Sequence, residues 1–364
     1  MKRRVFLKAL GVAGAAGIAA PAIAQTQPSI RWRFQSSFNK NLDVLWIEHE
    51  NFAKRISEMT DGRFQIQIFA AGEVVGGLQV LDGVQNGTIE MGQSLSTYYI
   101  GKDPTFAFGT TLPFGLNARQ QNAWWYWGGG AELMNDFFKT YNVIGFPAGQ
   151  SGAQMGGWFR KEIKSLDDLK GLKMRVAGMG GHVMKKLGIV PQQIAPGDIY
   201  PSLERGTIDA VEWVGPHDDE KLGFSKVAPF YYYPGWWEPT SMFHNFINLD
   251  AWNKLPRAYQ VALETATAHS SISNTAHYDQ MNPSALRRLI GGGTQLRAFP
   301  KDTIDAAHKA AFEVYDELAA GNANFRKIYA HWKDFRASIF LWHRIAENQL
   351  ENATYTLYQQ SQGR

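Results

Sequence analysis

One local pattern occurs twice in the chain and limits what it can become. Gln85 to Ser94 reads QNGTIEMGQS and Glu204 to Trp213 reads ERGTIDAVEW: a helix end, a glycine, Thr-Ile-acid, then a strand-like run. Glycine in that place closes a helix in the left-handed conformation that other residues avoid. Gly87 and Gly206 lie much further apart than the period of any solenoid repeat, so the echo implies two related lobes. A chain of 364 residues is long enough for two lobes of ordinary size.

The segments around the echo have α/β character. Ile30 to Gln35 reads as a strand, Asp43 to Thr60 places apolar residues at helical spacing, and Phe64 to Phe69 alternates as a strand does. Strand-helix-strand is the start of a parallel sheet. Leu78 to Asn86 reads as helix, and Thr88 to Ser94 as a strand leading to Tyr98 and Tyr99. In the second half, Gln154 to Phe159 is extended, Ser165 caps Leu166 to Leu169, and Leu172 to Val176 is a strand. Arg175 therefore falls near a strand's C-terminal end, where open α/β sheets bind ligands. The following GMGGHV has Val183 where a dinucleotide loop needs a third glycine, so it reads as a helix entry. Met242 to Leu249 is strand-like and returns to the first lobe, and Trp252 to Ser284 is helical by pattern.

From Phe325, apolar residues recur at Ile328, Trp332, Phe335, Ile339 and Trp342 without Gly or Pro until Gly363, which predicts one long amphipathic helix. The expected division is residues 25–150 plus about 240–290 as the first lobe, 151–239 plus about 291–322 as the second, and 323–360 as the long helix.

The first 24 residues stand apart. A basic start, a Gly/Ala-rich apolar run and an A-x-A ending at Ala24 have the form of an export signal. Arg3 and Arg4 before Val5, Phe6, Leu7 and Lys8 give it the twin-arginine form. The expected location is the periplasm. Without Lys2, Arg3, Arg4 and Lys8 the 37 basic residues fall to 33, equal to the 33 acidic ones, so a nucleic-acid partner is not expected. No later stretch reaches the ~18 apolar residues that spanning a membrane requires. The chain has no cysteine, hence no disulfide in an exported protein.

The candidate site lies in Gly206 to Pro239, where Glu212 ends an apolar run and Glu238 sits among Tyr231 to Tyr233, Trp236 and Trp237. An ionised carboxylate removed from water costs several kcal/mol unless a cation or donors compensate it. Arg175 supplies a fixed positive fork and Gln154 a neutral oxygen, and a bound metal cation is the further partner that two carboxylates ask for. Such a set suits a small acid and its counterion. The nine histidines show no H-E-x-x-H spacing, which argues against zinc.

With Arg175, the VEWVGP of Val211 to Pro216 and the YYYPGWWEP of Tyr231 to Pro239, the mature chain resembles the extracytoplasmic receptors of tripartite ATP-independent periplasmic (TRAP) transporters. Within that family it is similar to the branch that binds 2-oxo or 2-hydroxy monocarboxylates, pyruvate or lactate among them, with a metal ion. The resemblance implies a two-lobed, type II-like periplasmic binding protein with an interlobe cleft, not an enzyme, that serves a membrane permease. It implies that Arg175 pairs with the substrate carboxylate and that Gln154 touches substrate and metal. Glu212, the Trp213 carbonyl and Glu238 complete the metal shell, and Tyr98 or Tyr99 reaches across from the first lobe. It further implies a homodimer through the C-terminal helix.

That ligand set is all oxygen, which selects a hard cation, sodium or calcium. Two glutamates, one monoanion and Arg175 sum to −2, which calcium neutralises. The resemblance, with glutamates at 212 and 238, favours sodium, and sodium is the expectation. Two other readings of the residues stay open: a receptor for a larger or aromatic carboxylate, and a glycoside hydrolase using Glu212 and Glu238. Against the latter, an arginine beside both groups holds them ionised, whereas a general acid needs a raised pKa.

Overall fold

The computed structural model describes residues 27–362. The export signal expected over residues 1–24 lies outside them. Eleven strands form two sheets among these residues. They are β1 Ile30–Ser36, β2 Phe64–Phe69, β3 Met91–Leu95, β4 Val143–Gln150, β5 Gly157–Phe159, β6 Lys173–Arg175, β7 Val190–Gln192, β8 Ala210–Val211, β9 Phe230–Tyr233, β10 Met242–Asn248 and β11 Gln295–Ala298.

The first sheet has the order β2-β1-β3-β10-β4 and the second β11-β9-β5-β8-β6-β7. Read from β7, the second repeats the first: two parallel pairings, then two antiparallel ones. The strands that follow the duplicated Gly-Thr-Ile segments, β3 and β8, hold the same third place in the two sheets. Gly87 and Gly206 are both left-handed, with φ of 77° and 71°, and each amide bonds back to a carbonyl of the preceding helix. The fourth strand of the first sheet is β10, which arrives after the whole second sheet but for β11 has been laid down. Its residues are buried from end to end, as a strand between two neighbours inside the sheet requires.

The chain therefore crosses from the first sheet to the second after β4 and back before β10. The two crossings touch: Gly235 N–H donates to the Gln154 carbonyl at 3.0 Å and Gln154 N–H to the Glu238 carbonyl at 3.3 Å. Gly235 has to be glycine here, since a Cβ would lie 2.5 Å from the Gln154 carbonyl oxygen. A third connection is the helix Arg257–Gly291, which packs on β4 and on the helix Asp43–Met59 before reaching the helix Pro216–Leu222. Pro283 lies inside it.

Two apolar clusters hold this frame. One, with Trp32, Phe34, Phe52 and Tyr259, packs one face of the first sheet; the other runs through both lobes and includes Trp158, Tyr231 and Trp237. The C-terminal segment is two helices, Ala323–Ile345 and Glu347–Gln362, interrupted at Ala346. Backbone bonds from Ala346 to Trp342 and from Leu350 to Ala346 nearly make them one. No described helix is long and apolar enough to cross a membrane.

Candidate functional site

Between the two sheets lies a narrow cavity of about 10 Å³ whose polar wall is Tyr98, Gln154, Arg175, Glu212, Glu238 and Ser241. Its apolar wall is Phe38, Leu45, Leu95, Val214 and Phe243, with the Trp213 ring beside it. Each sheet contributes one side, and the crossings contribute Gln154, Glu238 and Ser241. The sequence candidates are all deeply buried: none of Tyr98, Gln154, Arg175, Glu212, Trp213 and Glu238 is more than 6 % exposed. A solute enters such a cavity only when the lobes part. In this structure the cavity is shut off from solvent.

Arg175 is the last residue of β6, the strand end inferred from sequence. Its Nη1 donates to the Glu212 carboxylate at 2.5 Å and to the Glu212 carbonyl at 2.7 Å, while its guanidinium lies 5.0 Å from the Trp213 ring centroid. Its Nε is buried without an acceptor, and no described group accepts from Nη2. One edge of the fork is fixed by Glu212 and the rest is left for an anion. Glu212 also accepts the Ala177 N–H at 2.8 Å. Burial raises its pKa, and Arg175 and this N–H pull the other way.

Glu238 is placed differently. Its carboxylate accepts from the Ser241 hydroxyl at 2.7 Å, with a weaker contribution from the Gln154 amide. Burial first, then repulsion from Glu212, pushes its carboxyl up to about 8, against the Ser241 hydrogen bond, the Arg175 charge and the Gln154 amide. The expectation that Arg175 holds both glutamates ionised therefore fails at Glu238. Two carboxylates thus share one arginine, and the second lacks a cation. Around this deficit stand oxygen atoms without donors: Gln154 Oε1 is buried and unpartnered, and the Trp213 carbonyl accepts nothing among the described residues. Two carboxylates, an amide oxygen and a peptide oxygen, with no Cys or His, fit a hard cation of the sodium or calcium kind.

The two tyrosines separate. Tyr98 faces the cavity, and burial raises its pKa so that it is a neutral phenol. Tyr99 points into the first lobe, where its hydroxyl donates to Ser94 Oγ at 2.7 Å and accepts the Leu81 N–H at 3.1 Å. With both functions of that hydroxyl used, Tyr99 has nothing to offer a ligand.

Several participants went unread in the sequence. Ser241, three residues after Glu238, holds its carboxylate, and Ser151 Oγ accepts from Gln154 Nε2 at 3.2 Å and from the Ser241 N–H at 2.9 Å. Phe38, Leu45 and Phe243 come from distant segments and carried no signal. A larger, open groove is lined by Asn117, Arg119, Phe340, Arg344 and Glu347. It holds no buried charge seeking a partner, and Arg119 pairs with Glu347 across it at 2.5 Å.

A model of the bacterial extracellular solute-binding proteins, family 7, matches residues 36–322. The monocarboxylate 2-oxoacid-binding periplasmic protein of a Nostoc species is 51% identical over 97% of this chain and 98% of its own length. A TRAP transporter solute-binding protein of Bordetella bronchiseptica, 49% identical, superposes with a TM-score of 0.91 over 92% of this chain and 99% of its own. It is described as a mixed-occupancy dimer with copurified calcium and picolinate in one active site and an apo site. A TRAP periplasmic solute-binding protein of Pseudoalteromonas atlantica with bound sodium and pyruvate, 38% identical, has a TM-score of 0.86 over 89% and 99%.

Proposed function

The chain belongs to the family 7 bacterial extracellular solute-binding proteins, receptors of TRAP transporters, and on that premise we propose that its cavity binds a small 2-oxo or 2-hydroxy monocarboxylate with a metal cation. Family and fold are those of transport receptors, not enzymes. Arg175, through Nη2, takes the carboxylate, with the Tyr98 phenol as a neutral donor from the first lobe. Glu212, Glu238, the Trp213 carbonyl and Gln154 Oε1 hold the cation, and Gln154 lies between cation and acid. The observation that carries this is the pair of buried glutamates sharing one arginine beside unpartnered oxygens. When bound, the cation supplies the missing positive charge and a shared anchor for the acid's 2-oxygen.

Sodium, expected from sequence, and calcium both fit an all-oxygen set, and each occurs in a relative. An aromatic acid such as picolinate is a second reading: its ring nitrogen sits beside the carboxylate as a 2-oxo oxygen does, and Phe38, Trp213 and Phe243 offer it a wall. Residues 25–150 with about 240–290, and 151–239 with about 291–322, form the two lobes, a division that the two sheets support. The first 24 residues are a twin-arginine export signal to the periplasm, in keeping with an extracytoplasmic family. The partner that receives the solute is the TRAP permease. The homodimer forms through the C-terminal helices, a reading supported by their exposed apolar residues and by the dimer of the Bordetella relative.

Calorimetry tests the site. Chelator-treated protein in sodium-free choline buffer should bind pyruvate poorly and regain affinity with sodium or calcium. With metal present, Arg175→Ala should lose roughly 2–5 kcal/mol, because a desolvated anion is left unpaired. Full pyruvate affinity without either ion would falsify the metal assignment.

A further inference from the structure

Glu212, Trp213 and Val214 line the cavity in succession, and the carbonyls of two of them are occupied. That of Glu212 accepts from Arg175 Nη1 at 2.7 Å and that of Val214 accepts the Met155 N–H at 3.1 Å. The middle one, of Trp213, is free among the described residues. Its direction is set from the other end of its own peptide. Val214 N–H donates to Asp219 Oδ1 at 3.3 Å, and in a trans peptide the C=O points opposite to the N–H. A carboxylate that captures the Val214 N–H therefore turns the Trp213 oxygen away from itself.

Asp219 can do this because it is itself fixed. It is 1 % exposed, and its Oδ2 accepts from Trp158 Nε1 at 2.9 Å and from the Tyr231 hydroxyl at 2.7 Å. Those two rings stack at 4.0 Å, so the donors hold one position. Oδ2 is committed to them and Oδ1 is left for the peptide.

We propose that Asp219, which does not line the cavity, is the positioning residue that aims the Trp213 carbonyl oxygen into it as a ligand for the cation. This rests on the metal reading above. It assigns a role to a buried acid outside the ligand set, on the helix Pro216–Leu222 that follows the ligand segment. The peptide planes on either side are pinned through the Glu212 and Val214 carbonyls, so Asp219 holds the one plane between them, and an unpinned Trp213–Val214 unit could turn its N–H to the cavity instead of its oxygen.

Asp219→Asn separates this role from mere support. The two fixed donors, Trp158 and Tyr231, retain the amide oxygen, which leaves the Asn NH₂ facing the Val214 N–H, donor against donor. The peptide loses its anchor while the side chain keeps its size. The sodium or calcium concentration that half-restores pyruvate binding should rise about tenfold or more, with pyruvate affinity at saturating metal within about threefold of wild type. Adding Trp158→Phe lets the amide turn its oxygen back to Val214, with Tyr231 accepting from the NH₂, and should recover much of the metal affinity. A crystal structure of the single variant should show the 213–214 peptide rotated. An unrotated peptide, or metal and pyruvate affinities falling together without rescue, would overturn the proposal while leaving the metal reading intact. Wild-type binding that ignores metal would overturn both.

Discussion

Glu238 shows at the scale of one side chain how the site is poised. Its carboxyl, pushed up to about 8 by burial and by Glu212, keeps its proton at neutral pH in the metal-free cavity. An unfolded glutamate ionises near its ordinary value, so between that value and about 8 the folded chain holds one more proton than the unfolded chain. Stability from this group is complete at low pH and declines as pH rises through that window. Asp218 and Asp219, both raised to about 7, chiefly by burial, add slope of the same sign. On the proposed metal site, a cation in the cavity would replace the proton on Glu238. Buried His49 and His244, lowered to about 4 and about 3, give the opposite slope below their ordinary value. The melting temperature of metal-free protein should therefore fall from pH 7 to pH 8.5, and Glu238→Gln, or metal with pyruvate, should remove one part of that fall. Calorimetry in buffers of different ionisation enthalpy should register close to one proton released on metal binding at pH 7. An unchanged slope in Glu238→Gln would place the proton elsewhere.

At the scale of one element, the C-terminal helices divide the stripe read from Phe325 to Trp342. Phe325, Ile328, Tyr329 and Trp332 are buried against their own chain, and Arg336 donates to the Phe114 carbonyl. Beyond them Leu341, Trp342, Ile345, Leu350, Tyr355, Leu357 and Tyr358 are 57–68 % exposed. The first half of the stripe is core and the second is a surface without a cover in one chain. Light scattering of the mature chain at micromolar concentration should give a dimer, and removal of residues 347–364 should give a folded monomer, since that segment has no buried residue among those described. A monomeric full-length chain would exclude this interface.

At the scale of the molecule, closure joins the lobes at more than the ligand. Asp43, which begins the helix Asp43–Met59 between β1 and β2 of the first sheet, pairs with His217 Nε2 at 2.9 Å and with Lys221, both from the helix Pro216–Leu222 that follows β8 of the second. Burial raises the Asp43 pKa, but these two partners outweigh it and hold the carboxyl below its ordinary value. Opening the cleft breaks both contacts. Partly exposed ion pairs are worth about 0.2–1 kcal/mol each, so Asp43→Asn should release pyruvate roughly three- to tenfold faster with little change in association. Stopped-flow release rates check this, and equal rates would mean the clasp persists in the open form.

Much of the frame was legible because it is local chemistry. The two Gly-Thr-Ile turns signalled equivalent strands, since a left-handed glycine closing a helix is set by neighbours in sequence, and the same holds for Arg175 at the end of β6. The burial of Glu212 and Glu238 was also readable, from their aromatic company. The choice between Tyr98 and Tyr99 was not, because adjacent residues differ only in which way the backbone turns them, and Ser94 and Leu81 claimed Tyr99. Nor did spacing set β10, which was expected to return to the first lobe, between β3 and β4, assemble Phe38, Leu45 and Phe243 into one wall, or put Asp219 behind the Trp213 peptide. Those arrangements depend on which distant segments pack together, and packing is decided by shape and by the pairing of buried polar groups across the whole molecule. The sequence states what each residue requires; only the tertiary structure determines which neighbour satisfies it.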